Sequence, residues 1–193
     1  MKSSYICLSV GLLLCTFFNL YSNDIFVEGR AAYFYPTDAT FRNIYHQGSL
    51  FNVEASCRAN EKIYPWVSMG LFNKSGQTVA ENTKTRITII PLGLGFKYQF
   101  CWKNIKPYLG MGVLASYLYA QDDSPFVVKV RNKWGAGVIG KFGLMYDITD
   151  RFFADFYFDY SWTRIDFNDT TKTVGRTADI SGIAIGVGLG FRI

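Results

Sequence analysis

The sequence has 193 residues, of which 49% are hydrophobic and 18% aromatic, and its formal net charge at pH 7 is +5. The length suits one domain, and the positive charge is too small and too dispersed to indicate a nucleic-acid-binding protein. After position 22 there is no apolar run of about 18 residues, the length that would predict a transmembrane helix.

The N-terminal 22 residues have the features of a secretory signal peptide. Lys2 supplies the positive start, an apolar stretch runs from Tyr5 to Leu20, and we expect cleavage after Ser22. Cys15 follows three leucines rather than a small residue, which disfavours lipid attachment. The sequence therefore predicts a signal peptide at 1–22 and one exported domain at 23–193.

Eight segments follow in which apolar residues occupy every second position, as in a β-strand with one apolar face. Short connections alternate with long ones of about 11–13 residues, and this combination is typical of a transmembrane barrel. The sequence predicts an all-β fold, an eight-stranded antiparallel up-and-down transmembrane β-barrel. The predicted strands are 24–35, 49–59, 64–72, 85–101, 107–120, 134–146, 152–163 and 183–193. The predicted long loops are 36–48, 73–84, 121–133 and 166–177.

The two faces of these strands differ in side-chain size. A lipocalin-like soluble barrel would place its apolar face inward, but an eight-stranded lumen is only wide enough for packed side chains. We therefore expect the small and polar residues to line the lumen and the bulky apolar residues to face lipid. Twelve of the 18 glycines fall on the polar face, namely Gly70, Gly93, Gly95, Gly110, Gly112, Gly135, Gly137, Gly143, Gly182, Gly186, Gly188 and Gly190.

Tyrosine and tryptophan gather near both ends of the apolar face, with aliphatic residues and phenylalanine between them. Amphipathic rings at both headgroup levels are typical of a membrane span. The predicted interface aromatics at the loop end are Tyr33, Tyr35, Tyr117, Tyr119, Trp134, Tyr160 and Trp162, and those at the turn end are Tyr98 and Tyr146.

Nine charged residues are predicted to point into the lumen. A symmetric hairpin would place Arg30 opposite Glu54, and the turn at 147–150 would relate Lys141 to Asp155 in the same way. Because a buried charge is costly unless it is paired, these residues form either an ion-paired plug or a gate in a narrow pathway for small solutes. The predicted lumen charges are Glu28, Arg30, Glu54, Arg58, Lys97, Lys141, Asp155, Asp159 and Arg192.

The C-terminal strand places Val187, Leu189, Phe191 and Ile193 on one apolar face and glycines on the other. It resembles the C-terminal strand of bacterial outer-membrane barrels, which their assembly machinery recognises, although the terminal residue of that family is usually aromatic. The segments 26–36 and 107–112 resemble strands of the small OmpA-like and OmpW-like barrels. The resemblance implies a bacterial outer-membrane location, contact with lipid and lipopolysaccharide, and recognition by the barrel-assembly machinery.

Two functional alternatives to a structural or surface-interaction role remain. The first is a narrow porin-like channel gated by lumen ion pairs. The second is a lipid A-modifying acyltransferase, which needs a histidine to activate a serine or water beside an acidic residue. His46 is the only histidine, and Asp122, Asp123 and Ser124 lie in a loop on the same side of the membrane. No local motif supports catalysis, and the sequence predicts no enzyme, cofactor or metal site.

Two cysteines, Cys57 and Cys101, remain in the mature chain. They are predicted near the same end of the second and fourth strands, about two strand spacings apart, which exceeds the usual limit for a disulfide. The sequence predicts no intramolecular bridge. The long loops carry a small excess of lysine and arginine, which suits contact with lipopolysaccharide phosphates.

Overall fold

The structure is a computed structural model that describes residues 24–77, 84–123, 128–167 and 176–193. The predicted signal peptide at 1–22 lies outside the described residues and stays a prediction. The described residues include no helix with the length and hydrophobicity of a membrane span.

The described chain consists almost entirely of β-strands. A single short helix, α1 (Ala39–Tyr45), lies between the first two strands. The eighth strand is short and pairs with the seventh, and together with the ninth it supplies the last wall of the barrel. The strands are β1 (Ile25–Pro36), β2 (Gly48–Cys57), β3 (Ile63–Gln77), β4 (Lys84–Gln99), β5 (Ile105–Asp123), β6 (Val128–Asp147), β7 (Phe152–Phe167), β8 (Arg176–Asp179) and β9 (Gly182–Arg192).

The strands close into an antiparallel barrel. Each strand from β1 to β7 pairs with the next, and β9 pairs with both β7 and β1, so the sheet returns to its start. Closure pairs the backbone of the two edge strands that an open sheet would leave free. The predicted eight-stranded antiparallel up-and-down barrel is confirmed.

Parts of two predicted long loops, 73–84 and 121–133, are strand. β3 runs to Gln77, and the β5–β6 pairing continues beyond the aromatic residues to Asp122 opposite Lys129 and Asp123 opposite Val128. Polar residues interrupt the apolar alternation here, for example at Asn73, Lys74 and Ser75. The backbone hydrogen bonds continue without that pattern, so the alternation underestimated the strand lengths.

The helix α1 was not predicted, because seven residues are too few for helical periodicity to stand out. The Asp38 side chain caps it by accepting a hydrogen bond from the Phe41 backbone N–H at 2.7 Å. Phe41 is buried against the inner residues of the barrel. The Tyr45 hydroxyl lies 3.1 Å from Thr85 Oγ1 on β4. The helix therefore covers the loop end of the barrel.

The outer wall is apolar and exposed, as the alternation predicted. Leu189 and Phe96, for example, are 70% and 61% exposed. The nine predicted interface aromatics all lie on this face, and the rings of Tyr117 and Trp134 are 5.2 Å apart. The predicted orientation of the two strand faces is confirmed.

The interior is less small and polar than expected, because bulky side chains fill both ends. The lower cluster, at the turn end, consists of Phe26, Tyr64, Met145 and Phe153. The upper cluster, at the loop end, includes Phe34, Leu50, Phe72, Ile87, Ile89, Leu118, Ile165 and Ile180, and Phe41 of α1 packs against it.

The inward glycines make room for large inward side chains, both in these clusters and between them. A Cβ atom added at Gly93 would lie 2.9 Å from the Trp66 ring, and one added at Gly143 would overlap the ring of Tyr108. By contrast, Gly140 on the outer wall has open space at its Cβ position. The glycine face therefore complements aromatic rings, which the prediction of a small-residue lumen missed.

Candidate functional site

The lumen cluster, defined as Glu28, Arg30, Glu54, Lys97, Lys141, Asp155 and Asp159, lies between the lower and upper clusters. Arg30 is its centre, with a side chain that is fully buried. Its Nη1 lies 3.0 Å from Glu54 Oε2 and 3.3 Å from Asp159 Oδ2. Its Nη2 lies 3.4 Å from Asp155 Oδ2, and its Nε lies 3.2 Å from Glu28 Oε1. One guanidinium therefore contacts four carboxylates.

Two lysines complete the cluster from the opposite wall. Lys141 Nζ lies 2.5 Å from Glu54 Oε2 and 3.5 Å from Asp159 Oδ2. Lys97 Nζ pairs with Glu54 Oε1 and lies 3.8 Å from Glu28 Oε1. Glu54 thus contacts all three cations of the cluster, which makes it the carboxylate with the strongest electrostatic support.

Aromatic side chains enclose the charges. The Tyr157 ring stacks on the Arg30 guanidinium, whose Cζ lies 3.5 Å from the ring centroid. The Tyr108 hydroxyl accepts a hydrogen bond from Arg30 Nη2 at 3.2 Å and donates one to Asp155 Oδ2 at 2.8 Å. Trp66 lies beneath Lys141 Nζ, 4.3 Å from its ring. These rings therefore contact the charged groups directly and limit the space around them.

Sequence reasoning did not identify these three aromatic residues as part of the site. Strand parity could have found them, because Tyr157 lies between the inward residues Asp155 and Asp159, and Tyr108 is two residues before Gly110. None of the three is among the predicted interface aromatics or the predicted lumen residues.

Arg30 and Glu54 are in contact, but their register differs from the prediction. Arg30 lies opposite Asn52, and Glu54 lies opposite Glu28. The β1–β2 pairing ends at Phe34 opposite Gly48, so the connection is not centred where a symmetric loop would place it. The long arginine side chain instead reaches its partner diagonally across the strands.

The predicted relation of Lys141 to Asp155 is wrong. Lys141 lies opposite Asp159, and Asp155 lies opposite Met145. The β6–β7 pairing starts at Asp147 opposite Phe153, so the turn is centred later in the sequence than assumed. Asp155 therefore contacts Arg30, whereas Asp159 contacts both Lys141 and Arg30.

Two of the nine predicted lumen charges lie at the turn-end rim instead. The Arg58 side chain is 44% exposed, and its Nη2 lies 2.5 Å from Asp24 Oδ2. Arg192 Nη2 lies 3.3 Å from Asp147 Oδ1, and its Cζ lies 4.8 Å from the centroid of the Phe26 ring. Both residues occupy positions of inward parity, but they lie at the ends of their strands, where the barrel interior opens to solvent. Arg192 covers the lower cluster from below.

A cavity of about 60 Å³ adjoins the lumen cluster on the loop side. Lys141 and Asp159 lie on its polar side, and Phe34, Leu114 and Ile139 are among its apolar lining residues. A space of this size suits a few water molecules at most. The interior is therefore filled at three levels, by the lower cluster, the lumen cluster and the upper cluster under α1.

The residues of the alternative catalytic site are not brought together by any described contact. His46 ends α1 in a left-handed conformation with φ of 55°, and its backbone N–H donates to the Arg42 carbonyl. The backbone of Asp122 and Asp123 ends β5, and Ser124 lies outside the described residues. In the part of the chain that the structure describes, no group of three or more His, Cys, Asp or Glu side chains could hold a metal ion.

Cys57 and Cys101 are both free thiols in the described barrel. Cys57 ends β2 and is buried, whereas Cys101 lies in the turn after β4 and is exposed. Neither thiol contacts the lumen cluster through a described bond.

No protein-family model matches the sequence, and a comparison with curated proteins finds no similar one. Solved structures are similar in fold. The outer membrane protein OprG from Pseudomonas aeruginosa is 16% identical, with a TM-score of 0.69 over 90% of this chain and 97% of that one. The Escherichia coli outer membrane protein W and Ail of Yersinia pestis are each 14% identical, with TM-scores of 0.59 over 90% of this chain and all of theirs. The chain has the fold of the small eight-stranded outer-membrane barrels.

Proposed function

We propose that the chain is an integral bacterial outer-membrane protein with a filled, non-conducting lumen and no catalytic activity. Its role would be to support the envelope or to present its loop end at the cell surface. The observation that carries this proposal is the filling of the interior at three levels, with the ion-paired lumen cluster between two apolar clusters. Eight strands leave room for packed side chains rather than for a water-filled pore.

The outer wall supports the membrane location. Its exposed aliphatic residues would cost far more in water than against acyl chains, at about 25 cal/mol per Å² of apolar surface. Tyr35 and Trp162 lie at the loop end, and an arginine guanidinium approaches each ring, Arg42 at 5.2 Å and Arg164 at 5.0 Å. Cations at this level suit the phosphates of lipopolysaccharide, which we propose as the partner of the loop end.

The C-terminal strand supports assembly by the outer-membrane machinery. Val187, Leu189, Phe191 and Ile193 are all exposed on the outer wall of β9 and its end. A pulldown of the assembly machinery with a C-terminal peptide tests this partner, and a peptide with Phe191 and Ile193 changed to Asp is the matched control. Equal capture by both peptides would exclude the proposed recognition.

The location is tested by fractionation of cells that express the full chain, together with gel mobility before and after heating. We expect recovery with the outer membrane and a shift in mobility when the barrel unfolds. Recovery in the soluble periplasm would contradict the proposal. Mass spectrometry of lipid A in cells with and without the chain tests the absence of acyl transfer. A new acyl group that disappears in His46→Ala would establish the enzyme alternative.

A narrow channel gated by lumen ion pairs is the second candidate. The cavity beside Lys141 and Asp159 favours it, because a rearrangement of these pairs could extend that space. Liposome swelling with small solutes distinguishes the two candidates. The filled lumen predicts no swelling with the wild-type barrel, whereas solute-dependent swelling of the wild type would favour the channel.

A further inference from the structure

The lumen cluster contains one more carboxylate than it has cations. Arg30, Lys97 and Lys141 supply three positive charges. Four carboxylates face them, from Glu28, Glu54, Asp155 and Asp159. Each of these seven side chains is at most 5% exposed. An uncompensated charge buried to this degree is strongly unfavourable, so the cluster needs one further positive charge.

Glu28 is the carboxylate with the poorest support from protein donors. Both of its oxygens are buried and accept no hydrogen bond from the protein. Its contacts are ion pairs outside hydrogen-bonding geometry, at 3.2 Å to Arg30 Nε and 3.8 Å to Lys97 Nζ. In contrast, Glu54 Oε2 accepts hydrogen bonds from Arg30 and Lys141, and Asp155 Oδ2 accepts one from the Tyr108 hydroxyl.

The surroundings of Glu28 exclude a further protein cation among the described residues. Arg30 on β1 and Lys97 on β4 are already shared with other carboxylates. Glu54 lies directly opposite on β2, and its charge repels that of Glu28. Asp155 approaches from β7. β9 faces Glu28 with Gly190, where an added Cβ would lie 2.8 Å from Glu28 Cβ.

We propose that the Glu28 carboxylate holds a proton at neutral pH and that this proton neutralises the lumen cluster. The proton supplies a single positive charge to oxygens that accept no hydrogen bond from the protein. The inference concerns the charge state of the cluster and goes beyond the surface or envelope role proposed above. A conducting barrel could hold the same proton, so the two proposals can fail separately.

Infrared spectroscopy of the purified barrel tests the proton directly, because a protonated carboxylic acid has a carbonyl stretch that a carboxylate lacks. We expect the wild-type barrel to have this band at neutral pH and Glu28→Gln to lose it. The matched control is Glu61→Gln, since Glu61 is an exposed glutamate in the turn after β2. This control leaves the band unchanged.

The midpoint of urea unfolding in sodium or potassium chloride, compared with choline chloride at equal ionic strength, gives a second readout. A proton on Glu28 predicts equal midpoints in the three salts. The proposal is overturned if the wild type lacks the band or if Glu28→Gln retains it. It is also overturned if the midpoint is higher with the small cations in the wild type but not in Glu28→Gln, because a metal ion would then take the place of the proton.

Discussion

Removing the charge of Glu54 should destabilise the barrel more than neutralising any other carboxylate of the lumen cluster. Glu54 is almost fully buried and contacts Arg30 at 3.0 Å, Lys141 at 2.5 Å, and Lys97. Glu54→Gln preserves the shape of the side chain but removes the carboxylate that all three cations contact. Loss of the Glu28 proton would restore the charge balance but not these contacts. Breaking a buried ion pair by removing one partner costs about 3–5 kcal/mol. We therefore expect Glu54→Gln to lower the free energy of unfolding by about that amount.

The assay is equilibrium urea unfolding of the barrel in phospholipid vesicles, followed by tryptophan fluorescence, since Trp66 lies beside the cluster. Arg164→Gln is the matched control, because the Arg164 side chain is 62% exposed and lies 3.8 Å from Asp179. Exposed pairs contribute at most about 1 kcal/mol.

A double-mutant cycle then separates the pair from its neighbours. Arg30→Met and Glu54→Gln should each be costly, and the double variant should be less destabilised than the sum of the two. Additive losses, or a loss for Glu54→Gln no larger than that for Arg164→Gln, would refute the reasoning that the cluster is dry and coupled.

Three further predictions concern the packing of the barrel and its outer wall. Gly143→Val should reduce the refolding yield, because the valine side chain would overlap the Tyr108 ring. Gly140→Val should refold normally, because Gly140 has open space on the outer wall. Equal yields of the two variants in a gel-shift refolding assay would contradict this prediction. Phe41→Ala should lower the free energy of unfolding by about 2 kcal/mol, because it removes the one buried side chain of α1. An unchanged midpoint of urea unfolding would show that the helix does not pack on the barrel. Val187→Arg, in the middle of β9 and exposed on the outer wall, should cost about 2–4 kcal/mol in a lipid bilayer. The same variant should cost less in detergent, and equal losses in both would count against a lipid-facing wall.

The strand pattern was sufficient to predict the barrel and the direction of its faces. Alternation in the C-terminal segment, with Leu189 and Phe191 opposite Gly188 and Gly190, specifies both. A one-residue error in parity would reverse the two faces, so the pattern is strongly constrained. Strand ends and register were less certain, because they depend on loop geometry that alternation does not encode. Arg30 therefore meets Glu54 diagonally rather than directly.

The arrangement within the lumen could be predicted only in part. The inward direction of the charged residues could be predicted, since each lies on the strand face opposite the apolar residues. Trp66, Tyr108 and Tyr157 share the inward parity, but the pattern did not indicate that their rings pack around the charges. Aromatic residues suit either lipid or a packed interior, and the choice depends on the space that distant glycines leave. Gly112, for example, lies against the Trp66 ring from another strand.

The central claim is that packed side chains close the lumen, and single-channel recording in a planar bilayer tests it most directly. The recording compares the wild-type barrel with Arg30→Ala, and uses Arg164→Ala as the control for loss of an arginine outside the lumen. The account predicts no discrete conductance steps for the wild type or for Arg164→Ala, with folding established separately by gel mobility. Discrete wild-type steps whose size changes in Arg30→Ala but not in Arg164→Ala would contradict it and establish a channel through the lumen cluster.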